Sequence, residues 1–573
     1  MGGRKMTKKS FRKRMGALVM AMILVCNAAA CGGQGGSNPT TPAPTTTSSS
    51  NSQTQTTPAP ETNKADEPSW PKGTKIEWFL RGGTAEYNNH RFHELKAIEI
   101  IEEKLGVDIE FIVANGANED IDNQYLLMIS SGNLPDVIQY LHNEAYKGGI
   151  PQLYAEDVCM ELNDLIENNM PNLKRIFEEN PIVAKDMKTN DGKYLYFQKI
   201  NPMVSEYDIV DAAYQGVVMR KDWLDNVGLD TPTTIDEWYK VLTAFKTMDP
   251  NGNGLNDEIP FDCGGAAINL LWGAYKIVNG PCVNPDTGVV QYGAATENYK
   301  SFLEEMNKWH SEGLLGNCFD ETGGWAKSKL TDEDIVADIA GAWKGSANNW
   351  EKFLPEIQKR NPNAALVAVP YPKADDGNVY TMNTKYSYVQ RETVLVSKDC
   401  EYPEAVAAVI DYMYSDEGSE LMTWGVEGET FQKDANGVRT LTEYGAEKVD
   451  YYDGNMPRVS LYAPASTAFP RFGMNDFYAT TRSENYLASC KVWGDVKLDC
   501  LYPTGITLSP EEQEKATGTT SDLRDYIGDM QWKFITGQEP LSNFDTYMDT
   551  LDRMGIKDMV QVYQDAYDAY QKR

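Results

Sequence analysis

The sequence predicts an α/β protein built in more than one lobe. Three observations lead there. Apolar strand runs alternate with amphipathic helices from residue 75 onward, the 573-residue chain is 41% hydrophobic, and non-globular composition is confined to its first 70 residues. Strand–helix–strand order predicts right-handed βαβ units, in which ligands sit at the carboxyl ends of the strands.

The first unit is legible in order. IEWFL at 76–80 reads as a strand. Leu95, Ile98, Ile101 and Leu105 share one face of a helix, and VDIEFIV at 107–113 is the next strand. A helix around Tyr125 to Ile129, the turn SGNLPD and the run DVIQYL complete the pattern. Arg81 follows the first strand, and Gln139 and Tyr140 end the third, so all three are expected to face a cleft.

Further along, Thr234 reads as the N-cap of a helix, with Glu237 as its capping-box partner and Trp238, Leu242 and Phe245 on the inner face. Residues 299–315 read as another amphipathic helix. IVADIAGAWKG reads as a buried strand running into a turn, with Trp343 just past the strand end, ALVAVPYP as another strand, and TVLVSKDCEYPEAVAAVIDYMYSDEG as a strand, a Pro-started helix and a loop. From Pro510 the chain reads as mostly helical.

The N-terminal segment is of another kind. Arg4, Lys5, Lys8, Lys9, Arg12, Lys13 and Arg14 precede an apolar run at 15–26 and small residues up to Cys31, the order of a secretory signal over 1–30. Its apolar run of about twelve residues is too short to span a bilayer, which needs about 20. Ala-Ala-Ala-Cys31-Gly-Gly resembles a bacterial lipobox, with Ala28 where Leu is usual, and implies lipidation of Cys31. Acyl chains grouped on one cysteine suffice for stable attachment. Residues 31–70 are rich in Ser, Thr and Pro and almost free of large apolar side chains, so they are expected to be a disordered tether. As a flexible coil it would span about 35 Å.

The net charge of −31 argues against nucleic acid or anionic lipid as the ligand of the folded part. Cys159, Cys263, Cys282, Cys318, Cys400, Cys490 and Cys500 form no zinc spacing and no disulfide framework. A single Cys490–Cys500 bridge is conceivable, against a background of buried free thiols. His90, His93, His142 and His310 lie near no G-x-S-x-G elbow or HExxH motif, which argues against an enzyme; His90 and His93 read as solvated residues near a helix start.

Four stretches, SSGNLPDVI, MRKDWLDNVGLDTPTTIDEWYKVLTAFKTMDPNGNG, YPEAVAAVIDYMYSDEGSELMTWGVEGETF and FITGQEPLSNFDTYMDTLDRMGIKDMVQVYQDAYDAY, occur in that order. In them the sequence resembles the family 1 extracellular solute-binding lipoproteins of bacterial ABC importers, in particular the alginate-oligosaccharide-binding branch. The resemblance implies a type II periplasmic-binding-protein-like fold with a hinge and C-terminal helices. Lobe 1 would hold 72–215 and 390–445, lobe 2 would hold 216–389 and 446–573, and an oligosaccharide would be enclosed between them. A monomer on the outer face of the cell membrane, delivering its ligand to permease subunits, is the corresponding expectation. A peptide binder of the same fold and a surface glycan hydrolase are the alternatives.

The loop DPNGNGLNDE at 249–258 follows the capped helix directly. Asp249, Asn251, Asn253, Leu255 through its carbonyl, and Asp257 stand at offsets 1, 3, 5, 7 and 9 of an EF-hand-type loop, with Gly254 at the sharp turn. Pro260 occupies offset 12, where a bidentate Glu is usual; Glu258 matches the carboxylate that the alginate-binding relatives use at offset 10. A structural Ca2+ ion is the cofactor this set suits, the other reading being a plain Asn/Gly turn. For the ligand, sugars take aromatic platforms and planar polar groups. The resemblance places a stacking aromatic at Trp343, and Trp272, Trp325 and Tyr388 are further candidates. Arg81, Asn349 and Arg391 could bond hydroxyls or a carboxylate. Trp424 reads as packing.

Overall fold

The computed structural model describes residues 68–141, 145–201, 213–316, 332–380, 388–464, 469–474 and 476–573, with backbone alone at 265, 266, 391, 479 and 517–521. The signal, the tether up to residue 67, Cys31 and Trp325 lie outside the described residues; Trp70, expected at the end of the tether, instead packs on the first core and donates from Nε1 to Leu105 O at 3.2 Å. The folded unit runs Asp66–Arg573 and is built on two five-stranded sheets.

The first sheet begins with β1 (Thr74–Gly83) and β2 (Val107–Asn115), parallel in the register Thr74↔Val107. The connecting helix Lys96–Leu105 ends at Gly106, whose φ of 68° is the left-handed C-cap that favours glycine. Next come β3 (Val137–Tyr140), parallel to β1, and β4 (Phe197–Ile200). The second sheet opens with β5 (Gln215–Arg220) and β6 (Phe261–Asp262). A small hairpin of β7 (Pro281–Val283) and β8 (Val290–Tyr292) stands apart, then β9 (Leu315–Gly316), β10 (Ala342–Ser346) and β11 (Leu366–Val369) return to the second sheet. β12 (Val389–Val396) goes back to the first, antiparallel to both β3 and β4. The orders are β2-β1-β3-β12-β4 and β11-β5-β10-β6-β9.

Both sheets are covered on both faces, and the two-residue period of a strand sorts their side chains. In β1, Trp78 and Leu80 join Ile98, Ile101, Val406 and Ile410 on one side, whereas Phe79 joins Tyr125, Ile129 and Leu153 on the other. In β5, Val217 and Met219 pack with Trp238, Phe245, Phe302 and the C-terminal residues Phe534 and Leu551, whereas Val218 packs with Trp343, Tyr371 and Trp493. Thr234 caps the helix Ile235–Thr247 through its capping box with Glu237, as the spacing predicts. Pro403 starts the helix Pro403–Tyr414, and three helices from Pro510 to Gln571 fill the tail.

Several details depart from the sequence reading. The segment IVADIA is not a strand: Asp332–Val336 is helical and the strand begins at Ala342, because Asp332, Glu333 and Asp334 suit a first helical turn. The hairpin Lys448–Tyr451 with Gly454–Pro457, expected in the second lobe, packs on the first. There Tyr451 reaches Glu94 and Asp453 caps the helix Glu86–Arg91, while Phe469 lies in the core beside Trp78 and Phe472 bridges to Ile200. The chain thus passes between the sheets three times, at 201–214, 370–388 and 473–483. Cys490 and Cys500 are not disulfide-bonded and lie in separate core clusters, so the conceived bridge between them does not form. Cys263 instead is disulfide-bonded, with its partner outside the described residues. Among the described residues no helix is long and apolar enough to cross a membrane.

Candidate ligand cleft and metal loop

The residues chosen from sequence fall into three groups. Trp343 and Asn349 are brought together: Trp343 Nε1 donates to Asn349 Oδ1 at 3.0 Å, and both are buried. Trp343 is fully enclosed because it lies within β10, opposite Val218, on the face covered by Tyr486, Cys490 and Trp493. The sequence reading put it past the strand end; the structure puts it inside the strand, where neither ring face is open to a sugar. Trp272 is likewise core, edge-on to Tyr299 at 5.3 Å and to Phe302 at 5.6 Å. Gln139 and Tyr140 are also sealed. Gln139 accepts from Trp78 Nε1 and donates to Glu392, and Tyr140 stacks on Tyr125 at 4.1 Å with its hydroxyl on Asp122.

Arg81 and Tyr388 keep open faces. Arg81, at the carboxyl end of β1, is partly exposed and donates from Nη2 to Asn118 Oδ1 at 2.5 Å. Tyr388 is 36% exposed, and its carbonyl accepts from Asn201 N at 2.7 Å, so it marks the point where two crossings between the sheets meet. β3 separates the strand of Arg81 from the strand that follows Tyr388. Arg391 lies in β12 and Trp325 is outside the described residues. Trp424 is packing, as read, against Phe431 and Phe477. A separate cavity of about 570 Å³ lies between Tyr146, Gln152 and Glu156 of the first lobe and Glu511 and Glu514 of the helix Pro510–Thr536. None of the residues chosen from sequence lines it.

The loop at 249–258 is wrapped inward by its own backbone. Asp249 Oδ1 and Oδ2 accept from the amides of Asn253 and Gly254 at 3.1 and 3.0 Å, Asn251 Oδ1 from Asn253 N at 3.1 Å, and Asn253 Oδ1 from Leu255 N at 2.6 Å. Gly252 and Gly254, at φ of 70° and 76°, make the two left-handed turns this path requires. Outside the loop, Asn251 Nδ2 donates to Asp338 O at 3.0 Å. Glu258 Oε1 is buried without a partner. Its carboxyl is held above the usual range, first by burial and then by the like charges of Asp257 and Asp249. Among the described residues no cluster of three or more His, Cys, Asp or Glu side chains is disposed as a metal site. The loop's candidate donors are the carboxylates of Asp249, Asp257 and Glu258, the amide oxygens of Asn251 and Asn253 and the Leu255 carbonyl, the hard oxygen set that Ca2+ takes, and the partnerless Glu258 oxygen fits such an ion.

Sequence reasoning missed the support beneath this loop. Arg220, fully buried, forks onto Asp222 at 2.9 and 2.6 Å and also binds Asp338, the residue whose carbonyl holds Asn251. Asp222 further accepts from Ala365 N and Asn361 Nδ2, both at 3.2 Å. The Arg-x-Asp spacing was the available signal, yet it does not name Asp338, which is far away in sequence.

Comparison with known proteins fits this architecture. The pattern of bacterial extracellular solute-binding proteins matches residues 96–420, more than half of the chain. The fructooligosaccharide ABC transporter substrate-binding protein FusA of Streptococcus pneumoniae serotype 4 is 24% identical over 505 residues, covering 84% of this chain and 88% of that protein. The polygalacturonan/rhamnogalacturonan-binding protein YtcQ of Bacillus subtilis strain 168 is 24% identical over 482 residues, covering 82% and 88%. Among solved structures, an EF-hand mutant of S. pneumoniae FusA in complex with fructo-nystose superposes with a TM-score of 0.66 at 22% identity, over 87% of this chain and 100% of that one. The alginate-binding protein AlgQ2 without calcium ion gives 0.62 at 20% identity, over 87% and 98%. The two sheets, the crossings between them and the C-terminal helices are therefore the fold of substrate-binding proteins, and the chain belongs to the bacterial extracellular solute-binding protein family.

Proposed function

We propose that the chain is a lipid-anchored receptor that captures an oligosaccharide between its two lobes and hands it to the permease of an ABC importer. The observation that carries this reading is similarity to a fructooligosaccharide-binding protein over 84% of the chain, on a fold of two sheets joined by repeated crossings. Ligand contacts from both lobes favour the closed form, because only that form makes both sets at once. Arg81 and Tyr388, with Trp325 and Arg391, are the first-choice contacts. Trp343 and Asn349 support them from within the second sheet. Cys31 carries the anchor, the tether holds the folded unit clear of the lipid, and the receptor works as a monomer. Binding rather than catalysis is the activity.

Asp249, Asn251, Asn253, the Leu255 carbonyl, Asp257 and Glu258 hold a calcium ion whose role is to fix the loop after the helix Ile235–Thr247. A hard divalent cation there neutralises three clustered carboxylates and ties the loop to the Asp338 corner. Two relatives bear on it: FusA has an EF-hand, and AlgQ2 has a calcium-free form.

The test is a thermal-shift screen of the mature chain against neutral and acidic oligosaccharides and short peptides, with calcium and after chelation. A ligand at 100 times its Kd stabilises by about 2.7 kcal/mol. A shift with a glycan and none with peptides supports the reading. A shift with peptides alone overturns the sugar assignment.

A further inference from the structure

Arg91 is anomalous in a chain with 84 acidic side chains. It is 5% exposed, its Nε is sealed from solvent without a hydrogen-bond partner, and among the described residues no carboxylate pairs with its guanidinium. A charge taken out of water without a counter-ion is strongly unfavourable, so buried arginines ordinarily have one.

Its surroundings are built rather than incidental. Arg91 ends the helix Glu86–Arg91, which starts three residues beyond β1, at the carboxyl end of the first sheet. The guanidinium carbon lies 5.2 Å from the Phe92 ring; burial holds its pKa below the ordinary arginine range, and the Tyr87 and Tyr451 phenol groups are its electrostatic neighbours. Tyr87 rests flat enough on Gly454 that a Cβ there would come within 2.8 Å of its ring. The acids of this corner are committed to other donors. Glu94 accepts from Tyr451 at 2.7 Å, Asp453 takes the amides of Glu86 and Tyr87 at 2.9 and 2.8 Å, and Glu86 lies 3.7 Å from His90 Nε2.

A second, independent feature adjoins it. The His90 and Tyr452 rings stack at 3.9 Å with 3° between their planes. Tyr452 is 53% exposed and sits at φ 49°, a region that bulky L residues avoid and that persists where surrounding contacts enforce it, often at ligand clamps. His90 covers one ring face of Tyr452 and the Tyr451 ring meets it at 4.8 Å and 81°, yet Tyr452 keeps about half of its surface exposed.

We propose that Arg91, the Tyr87 and Tyr451 hydroxyls and the Tyr452–His90 ring pair form a subsite for an acidic sugar unit. The guanidinium takes its carboxylate and the exposed part of the Tyr452 ring takes its C–H surface. The fork of a guanidinium matches a carboxylate, and a ring face beside it suits a pyranose better than a bare inorganic anion. The subsite rests on the oligosaccharide reading above and narrows it to glycans that carry a uronic acid.

The test is calorimetric titration of the mature chain, calcium present, with tetragalacturonate and with a neutral fructo-oligosaccharide of the same length. The wild type binds tetragalacturonate. Arg91→Met weakens that binding by about tenfold or more, the scale of one charge-assisted pair, without lowering the melting temperature, since the variant removes an unpaired buried charge. Tyr452→Ala, at the exposed hairpin tip, weakens it as well and serves as the second probe if Arg91→Met fails to fold. Wild-type affinity in both variants overturns the subsite. So does a wild type that binds the neutral glycan and no acidic one, which leaves the receptor reading standing. Silence toward both glycans overturns the receptor reading and the subsite with it.

Discussion

Tyr570 donates its hydroxyl to Asp186 at 2.5 Å, tying the last helix, whose core lies under the second sheet, to the helix Pro181–Met187 of the first lobe. Three residues on, Arg573 donates to the carbonyls of Lys185, Lys188 and Gly505 and to Asn190 Oδ1. The two lobes are therefore joined by side chains as well as by the three passages of backbone.

Asp186 makes this joint pH-sensitive. Burial raises its carboxyl above the ordinary range, while the Tyr570 hydroxyl and Arg573 pull it back. A folded value above the unfolded one, about 3.9, means that the folded state binds the proton more tightly. The stability this group contributes is thus full below about pH 4 and is lost as pH rises through its folded value. Tyr570→Phe removes one of the lowering bonds, so it widens that window and costs about 1–3 kcal/mol near neutrality, less in acid. Asp186→Asn removes the dependence. Melting temperatures of the three proteins across pH are the measurement, and parallel curves would refute the assignment.

Arg220 is the second joint to test. Its bidentate pair with Asp222 and its bond to Asp338 lie out of water, and breaking a buried pair by deleting one partner leaves unpaired charges. Arg220→Met should destabilise by about 3–5 kcal/mol in urea unfolding. Because Asp338 O receives Asn251 Nδ2, the same variant should also reduce the stabilisation that calcium provides. Loss of stability with an unchanged calcium effect would separate the joint from the loop.

Calcium itself gives a third prediction. Chelation should lower the melting temperature of the mature chain, and Asp249→Ala should abolish the difference between calcium and chelator. At calcium 100 times its Kd the stabilisation is about 2.7 kcal/mol. Ligand carboxylates must be ionised, so affinity should fall as pH drops through the raised value of Glu258. A melting temperature indifferent to chelation would leave the loop as an Asn/Gly turn.

The α/β class, the capped helix at 235–247, the Pro-started helix at 403–414 and the helical tail were legible because each depends on local periodicity and caps. What was not legible depends on which side of a strand a residue takes and on distant partners. The fate of Trp343 turned on whether β10 began before or after it, a shift of a few residues that decides between a cleft wall and a core. The hairpin at 448–457 carries little apolar patterning, and its attachment to the first lobe runs through Asp453, Tyr451 and Tyr452, whose partners lie some 360 positions earlier. Arg91 is invisible in sequence for the same reason: an arginine among many is unusual only once its missing counter-ion is seen.

Trp343 provides the sharpest test of how the second lobe contributes. Its ring fills the space between Val218 and the residues Tyr486 and Trp493, and its Nε1 bonds the Asn349 oxygen that also receives Ser346 N at 3.4 Å. Gly345 follows so closely on Asn349 that a Cβ there would fall 2.2 Å from Oδ1, so this corner has no slack. Trp343→Ala leaves a large cavity and an amide oxygen short of a partner, which together should cost about 3–5 kcal/mol in urea unfolding. Trp343→Phe keeps most of the volume and loses the bond, so it should cost less and preserve glycan binding. If instead Trp343→Ala unfolds like the wild type while glycan affinity collapses, the ring meets ligand directly and β10 must turn it toward the cleft on closure.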